Sequence, residues 1–176
     1  MANARFPWVL FDWGGTLMSE DGPQDVAMAQ WTRVSAIPGA EETLSRLAPE
    51  HRLAIATNAS VSGRAMIALA LQRVGLRPYI SEIFCFTEIG ARKDTAQFWQ
   101  VVTSRLDVPA SDLAMVGDSL EQDVMAPRRL GIFSVWFNQD NRQVAAPPDD
   151  VPTIHRLADL VPLVNHGDQT GRQTDA

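Results

Sequence analysis

One cysteine and one lysine in 176 residues set the first constraints. Cys85 has no partner for an internal disulfide, so no bridged framework holds the chain, which fits a reducing compartment. Fourteen arginines stand against the single Lys93, so any chemistry that needs an amine has one side chain to use. An Arg-rich, Lys-poor composition also points to a GC-rich bacterial genome. No apolar run approaches 18 residues, so no membrane-spanning helix is expected, and Asp12 interrupts the apolar stretch after Arg5 too early for a signal peptide. Basic runs are missing as well. None is longer than the pair Arg128-Arg129, and with 15 cationic against 21 anionic residues the formal charge is −6. That balance excludes the phosphate-neutralising surface that duplex nucleic acid demands. The expectation is a cytoplasmic protein that engages neither membrane nor nucleic acid.

What is present is an ordinary globular composition, 45% hydrophobic, in a chain long enough to bury roughly two-thirds of its unfolded surface in one core. Short apolar runs alternate with segments of helical period, which predicts an α/β domain with a mostly parallel sheet. Strands are expected at Trp8–Asp12, Leu53–Thr57, Phe84–Thr87, Leu113–Gly117 and Ile132–Phe137. Helices are expected at Pro38–Ala48, Ser60–Val74, Thr95–Leu106 and Ser119–Leu130. Pro38 suits a first helical position, Ser60 and Asp94 suit N-caps, and Gly75 and Gly131 suit left-handed helix ends. A polar, Pro-rich loop at 138–150 leads to an edge strand near Val151–Ile154 and a last helix around Leu157–Val164. From Asn165 the chain is polar, so 165–176 is expected to be a flexible tail.

Asp12, Thr57 and Asp118 each fall at or just past the C-terminal end of an expected strand, and Lys93 follows the third strand closely. In open parallel sheets those ends form the ligand crevice. Taken singly, each residue has a plainer explanation. Asp12 can cap the Gly14-Gly15 turn, Thr57-Asn58 can close a strand, Lys93 can be solvated, and Asp118 or Ser119 can cap a helix. Together they place four polar side chains in one volume, and Asp118 with Asp123 suits a hard divalent cation.

Residues Asp12 to Thr16, then Thr57, Lys93, and Gly117-Asp118-Ser119 with Asp123 resemble, in order, the four signatures of the haloacid dehalogenase superfamily of hydrolases. The likeness spans about residues 7–137. It implies a single-domain, Rossmann-like three-layer sandwich over residues 1–164, and a phosphatase in which Asp12 attacks phosphorus and becomes an aspartyl phosphate. It further implies Mg²⁺ held by Asp12, Asp118 and the carbonyl of Gly14, with Asp123 nearby. Thr57, Lys93, the backbone N–H groups of Gly15 and Thr16, and the helix start near Asn58 would contact the phosphoryl oxygens.

The family's usual second Asp of the first signature, a general acid and base, is Gly14 here. Such help is worth roughly 10² to 10⁴ in rate, so alkyl phosphates are expected to be poor substrates beside aryl or acyl phosphates. Phosphonoacetaldehyde hydrolases share an Asp-Trp and a small residue in that signature, but they need a second, cap-borne Lys that this chain lacks. Haloacid dehalogenases proper work without the metal that Gly117-Asp118 implies. A receiver domain would carry its phospho-accepting Asp on a middle strand, and a dinucleotide-binding Rossmann domain would need Gly-x-Gly-x-x-Gly after its first strand. Residues 18–37 are too few for an independent cap, so they are expected to be a reduced cap or connector, with Trp31 above Trp13 as a water-excluding lid. An open site implies a large phosphorylated substrate or a covering subunit such as a second copy. The alternative to an enzyme is a degenerate phosphate- or protein-binding module on the same scaffold.

Overall fold

The computed structural model describes residues 5–144 and 146–165; the expected tail beyond Asn165 lies outside the described residues. One six-stranded sheet has the order β3-β2-β1-β4-β5-β6, with every neighbouring pair parallel. Its strands are β1 (Trp8–Phe11), β2 (Arg52–Thr57), β3 (Ile80–Cys85), β4 (Leu113–Gly117), β5 (Phe133–Phe137) and β6 (Thr153–Ile154). The helices are α1 (Ala40–Leu47), α2 (Arg64–Arg73), α3 (Phe86–Ile89), α4 (Ala96–Leu106), α5 (Ala126–Arg128) and α6 (Leu160–Asn165).

Alternation along the strands creates the three layers. Val9 and Phe11 of β1 face one core with Leu44 of α1, Leu71 of α2 and Leu160 of α6. Trp8 and Leu10 face the other with Phe98, Trp99 and Val102 of α4. All four β1 side chains are buried, each worth roughly 1.5–3 kcal/mol. That burial fixes the register of the strand leading to Asp12. From β1 the chain steps through β2 to β3 on one side, and from β4 through β5 to β6 on the other, so the winding reverses beside β1. The crevice at such a switch point is where open α/β sheets bind ligands.

The expected α/β fold and parallel sheet are observed, with several boundaries moved. β3 begins at Ile80 rather than Phe84, because an edge strand tolerates the exposed Ser81 and half-buried Glu82 that break up its apolar run. Phe86 and Thr87, expected in that strand, instead open α3. The second helix starts at Arg64 with Gly63 as its N-cap, not at Ser60. Thr95 rather than Asp94 precedes α4, and Gly39 rather than Pro38 adjoins α1. Gly75 and Gly131 do adopt positive φ. After Ser119 the chain forms a wide π-helical turn, Leu120–Met125, before α5. Pro127, with no N–H for a regular helical bond, explains why a plain α-helix does not run through.

Residues 18–37 leave the sheet and return to their starting point. Met18 bridges to Ala36, Ser19 donates its N–H to the Ser35 carbonyl, and Ile37 donates to Leu17. Between these ends lies a single helical turn at Met28–Gln30. Arg73 of α2 clamps it by donating to the carbonyls of Ala29, Trp31 and Thr32.

Candidate active site

Asp12 extends β1 by one residue, its N–H donating to Val116 of β4 at 2.9 Å. The turn behind it is closed by Gly15, whose φ of +73° favours glycine and whose missing Cβ leaves room for the Asp118 carboxylate. Gly117 plays the same part on β4, since a Cβ there would lie 2.6 Å from that of Asp123. Asp123 sits on the wide turn, where its Oδ2 accepts the Ser119 N–H at 3.0 Å while the Ser119 hydroxyl caps the turn at Gln122. A carboxylate from β1 and two from the end of β4 are thereby gathered. Asp12, Asp118 and Asp123 each offer an oxygen within 4.8 Å of the others.

Lys93 enters the cluster from the loop after α3, with only 2% of its side chain exposed. Its backbone is tied at both ends, the N–H donating to Asn58 Oδ1 at 2.8 Å and the carbonyl accepting Trp99 Nε1 at 2.7 Å. Its Nζ pairs with Asp12 and lies 2.6 Å from Asp123 Oδ1. Burial alone would lower the Lys93 pKa, but Asp12 and Asp123 outweigh it and hold the ammonium charged. Burial also pushes the Asp12 carboxyl up further than Lys93 pulls it down, and the charges of Asp123 and Asp118 add to the rise. Asp118 is raised to about 6 by burial and then by Asp123.

These groups line a cleft of about 350 Å³ together with Thr57, Asn58, Gly14, Trp13 and Trp31. Gly15 and Thr16 do not reach its wall. The Gly15 N–H is spent on the Met18 carbonyl, and the buried Thr16 hydroxyl donates to Asp118 at 3.3 Å. Asn58 lines the cleft, but its amide is engaged on both sides, donating to Gln122 Oε1 at 2.7 Å and accepting from Lys93. No helix begins there, because α2 starts at Arg64. Thr57 Oγ1 accepts the Ala59 N–H at 3.1 Å, which leaves its own hydrogen free to donate into the cleft. Sequence reasoning missed Gln122, Trp99 and Glu20. Asn58 and Gln122 are 64 positions apart and carry no local signal of their pairing.

Four carboxylates (Asp12, Glu20, Asp118 and Asp123) meet one ammonium in this cleft. Added positive charge is what the upward-shifted Asp12 and Asp118 call for, and three hard oxygen donors at this spacing fit a small divalent cation.

A fold wound in both directions from β1, with carboxylates and a lysine at its strand ends, defines a class of α/β scaffold with its ligand site at the switch point. A sequence model of haloacid dehalogenase-like hydrolases matches residues 22–131, more than half of the chain. The protein belongs to that family. A ribulose-1,5-bisphosphate 5-phosphatase from Halopiger xanaduensis is 33% identical over 128 residues, covering 72% of this chain and 52% of that protein. The Escherichia coli pyrimidine 5′-nucleotidase YjjG is 27% identical over 129 residues, 71% of this chain and 56% of that one. The chain spans about half the length of the curated relatives it matches. Among solved structures, the Bacillus subtilis HAD-hydrolase YfnB bound to magnesium superposes with a TM-score of 0.75 at 18% identity, over 92% of this chain and 100% of that one. No helix among the described residues is long and apolar enough to cross a membrane.

Proposed function

We propose that this protein is a Mg²⁺-dependent phosphoric monoester hydrolase working through an aspartyl phosphate on Asp12. The observation that carries this is the position of the Asp12 carboxylate at the end of the central strand, paired to the buried Lys93 and clustered with Asp118 and Asp123. The phosphatase relatives and the family model support the same reading.

Asp12, Asp118 and the Gly14 carbonyl would hold the cation, with Asp123 beside it, and its charge would offset that of the incoming phosphate. Lys93 pairs with Asp12 and aims it, opposing the upward push of burial on its carboxyl, and sets a compact positive charge beside the phosphoryl oxygens. Thr57 donates its hydroxyl to one of those oxygens. Asn58 and Gln122 act at one remove, Asn58 fixing the Lys93 backbone and Gln122 fixing Asn58. Trp31 and Trp13, both lining the cleft, restrict water at its outer side, which makes residues 18–37 a reduced cap on a hydrolase domain spanning 1–164. The substrate is a phosphate monoester, and the exposed Ser60 and Val61 at the edge of the cleft mark the side open to its remaining part.

Gly14 contributes a carbonyl and no proton. The cost falls on leaving groups that need one, so aryl and acyl phosphates are turned over faster than alkyl phosphates. A phosphate-release screen over these three classes, with and without Mg²⁺ and beside Asp12→Asn, tests the proposal. Release is expected only with the metal, and Asp12→Asn should fall by about 10⁴-fold or more. No release from any substrate by a protein whose melting shows it folded would favour the binding-module alternative.

A further inference from the structure

Gly14 is bare, yet the space its side chain would fill is taken. A Cβ built on Gly14 would run into the end of the Glu20 side chain, 2.8 Å from its Cδ and 3.0 Å from its Cγ, with the carboxylate oxygen closer still. Glu20 comes from residues 18–37, not from the sheet, and lines the cleft beside Asp12 and Asp118. Its backbone is held in place, since the Glu20 carbonyl accepts the N–H of Gly22 at 2.8 Å and the side chain of Gln24 at 3.0 Å. Among the described residues its carboxylate takes part in no ion pair and no hydrogen bond, so it is free to act on a ligand.

We propose that Glu20 supplies the acid and base that position 14 lacks. This rests on the phosphatase reading above. In the first half-reaction an Asp12 oxygen forms its bond to phosphorus while the bond from phosphorus to the leaving oxygen breaks. Glu20 gives its proton to that oxygen, so the product leaves as a neutral alcohol. In the second, Glu20 takes a proton from water as the water oxygen bonds to phosphorus and the Asp12–phosphorus bond breaks. Inorganic phosphate is released and Glu20 regains its proton. A glutamate reaching in from a neighbouring turn is longer and less constrained than a side chain on residue 14 itself. The preference for good leaving groups is therefore reduced rather than abolished.

The test compares kcat on an alkyl phosphate such as glycerol phosphate with the 4-nitrophenol burst from 4-nitrophenyl phosphate, for the wild type, Glu20→Gln and Glu20→Ala. A Mg²⁺ titration accompanies each. With Glu20 as the acid and base, both variants lose roughly 10²-fold or more in kcat on the alkyl ester, keep the rate of the 4-nitrophenol burst, which needs no acid, within about threefold of wild type, and keep the Mg²⁺ midpoint. Gly14→Asp combined with Glu20→Ala returns alkyl turnover, because the new carboxylate then has the space to itself. Equal kcat for wild type and Glu20→Gln on the alkyl ester overturns the proposal. So does a parallel loss of alkyl turnover and of the 4-nitrophenol burst with a weakened Mg²⁺ midpoint, which would make Glu20 a metal ligand. A wild type that cleaves the aryl but not the alkyl ester overturns it while leaving the phosphatase reading intact, whereas a wild type inactive on both overturns the two together.

Discussion

The inner and outer walls of the cleft are built on opposite principles. On the inner wall Asp12, Thr57, Lys93 and Asp123 are all buried, stand at strand ends or turns continuous with the sheet, and are bonded to one another or to neighbouring backbone. On the outer wall, residues 18–37 include an exposed acidic turn, held by Arg73 and by its own closed ends. Charge on the inner wall is organised at a desolvation cost that only partners can offset. Charge on the outer wall, Glu20 above all, keeps contact with solvent and can move. A hydrolase site needs both, because a nucleophile must be held rigidly while leaving groups and water pass in and out.

Removing the inner wall's only cation should have the largest effect. Lys93→Met leaves two buried carboxylates without their cation and should cost about 3 kcal/mol or more at neutral pH, seen as a fall in melting temperature of roughly 6 °C or more. The loss should shrink as pH falls and the Asp12 carboxyl, already raised by burial, takes up a proton. Melting unchanged from wild type would erase the contrast between the walls.

Next in size is the response of the metal-free protein to pH. A carboxyl raised in the folded state, like Asp118 at about 6, favours folding below its ordinary pKa, 3.8, and that contribution is lost as pH rises through about 6. Its share of stability should therefore fall between pH 4 and 7 in EDTA, and Mg²⁺ should cancel the slope by replacing the proton. Melting at pH 5, 6 and 7 with and without the metal measures this, and a slope that Mg²⁺ leaves unchanged would count against the cation site. The smallest effect is assigned to the outer wall. Arg73→Ala frees the segment that carries Trp31, so KM for 4-nitrophenyl phosphate should rise about threefold with kcat steady, at a stability cost of about 1.5 kcal/mol. A loss comparable to that of Lys93→Met would show the outer wall to be as rigid as the inner.

Most of the inner wall was legible in the sequence, whereas of the outer wall the sequence offered residues 18–37 with Trp31 and Trp13 but not Glu20. Asp12, Thr57, Lys93 and Asp118 could be placed because each follows an apolar run whose periodicity marks a strand end, and strand ends of a parallel sheet converge by topology. Asn58 and Gln122 meet only through the sheet order, which no spacing reveals. Glu20 was invisible for a different reason. It lies in a polar turn with no periodicity, and its relation to Gly14 is one of shared space between a missing atom and a side chain six residues away. The β3 and α2 starts were misplaced where edge exposure and an unpatterned loop, 58–63, broke the periodic signal.

The pairing of Met18 with Ala36 closes the outer wall on itself at its base, like a socket. Chain entering and leaving there is already joined, so the length of what lies between is decoupled from the geometry of β1. A larger lobe could be grafted into that socket, or the present turn trimmed, without shifting the nucleophile. Substrate range on this scaffold can then be exchanged as a part separate from the chemistry.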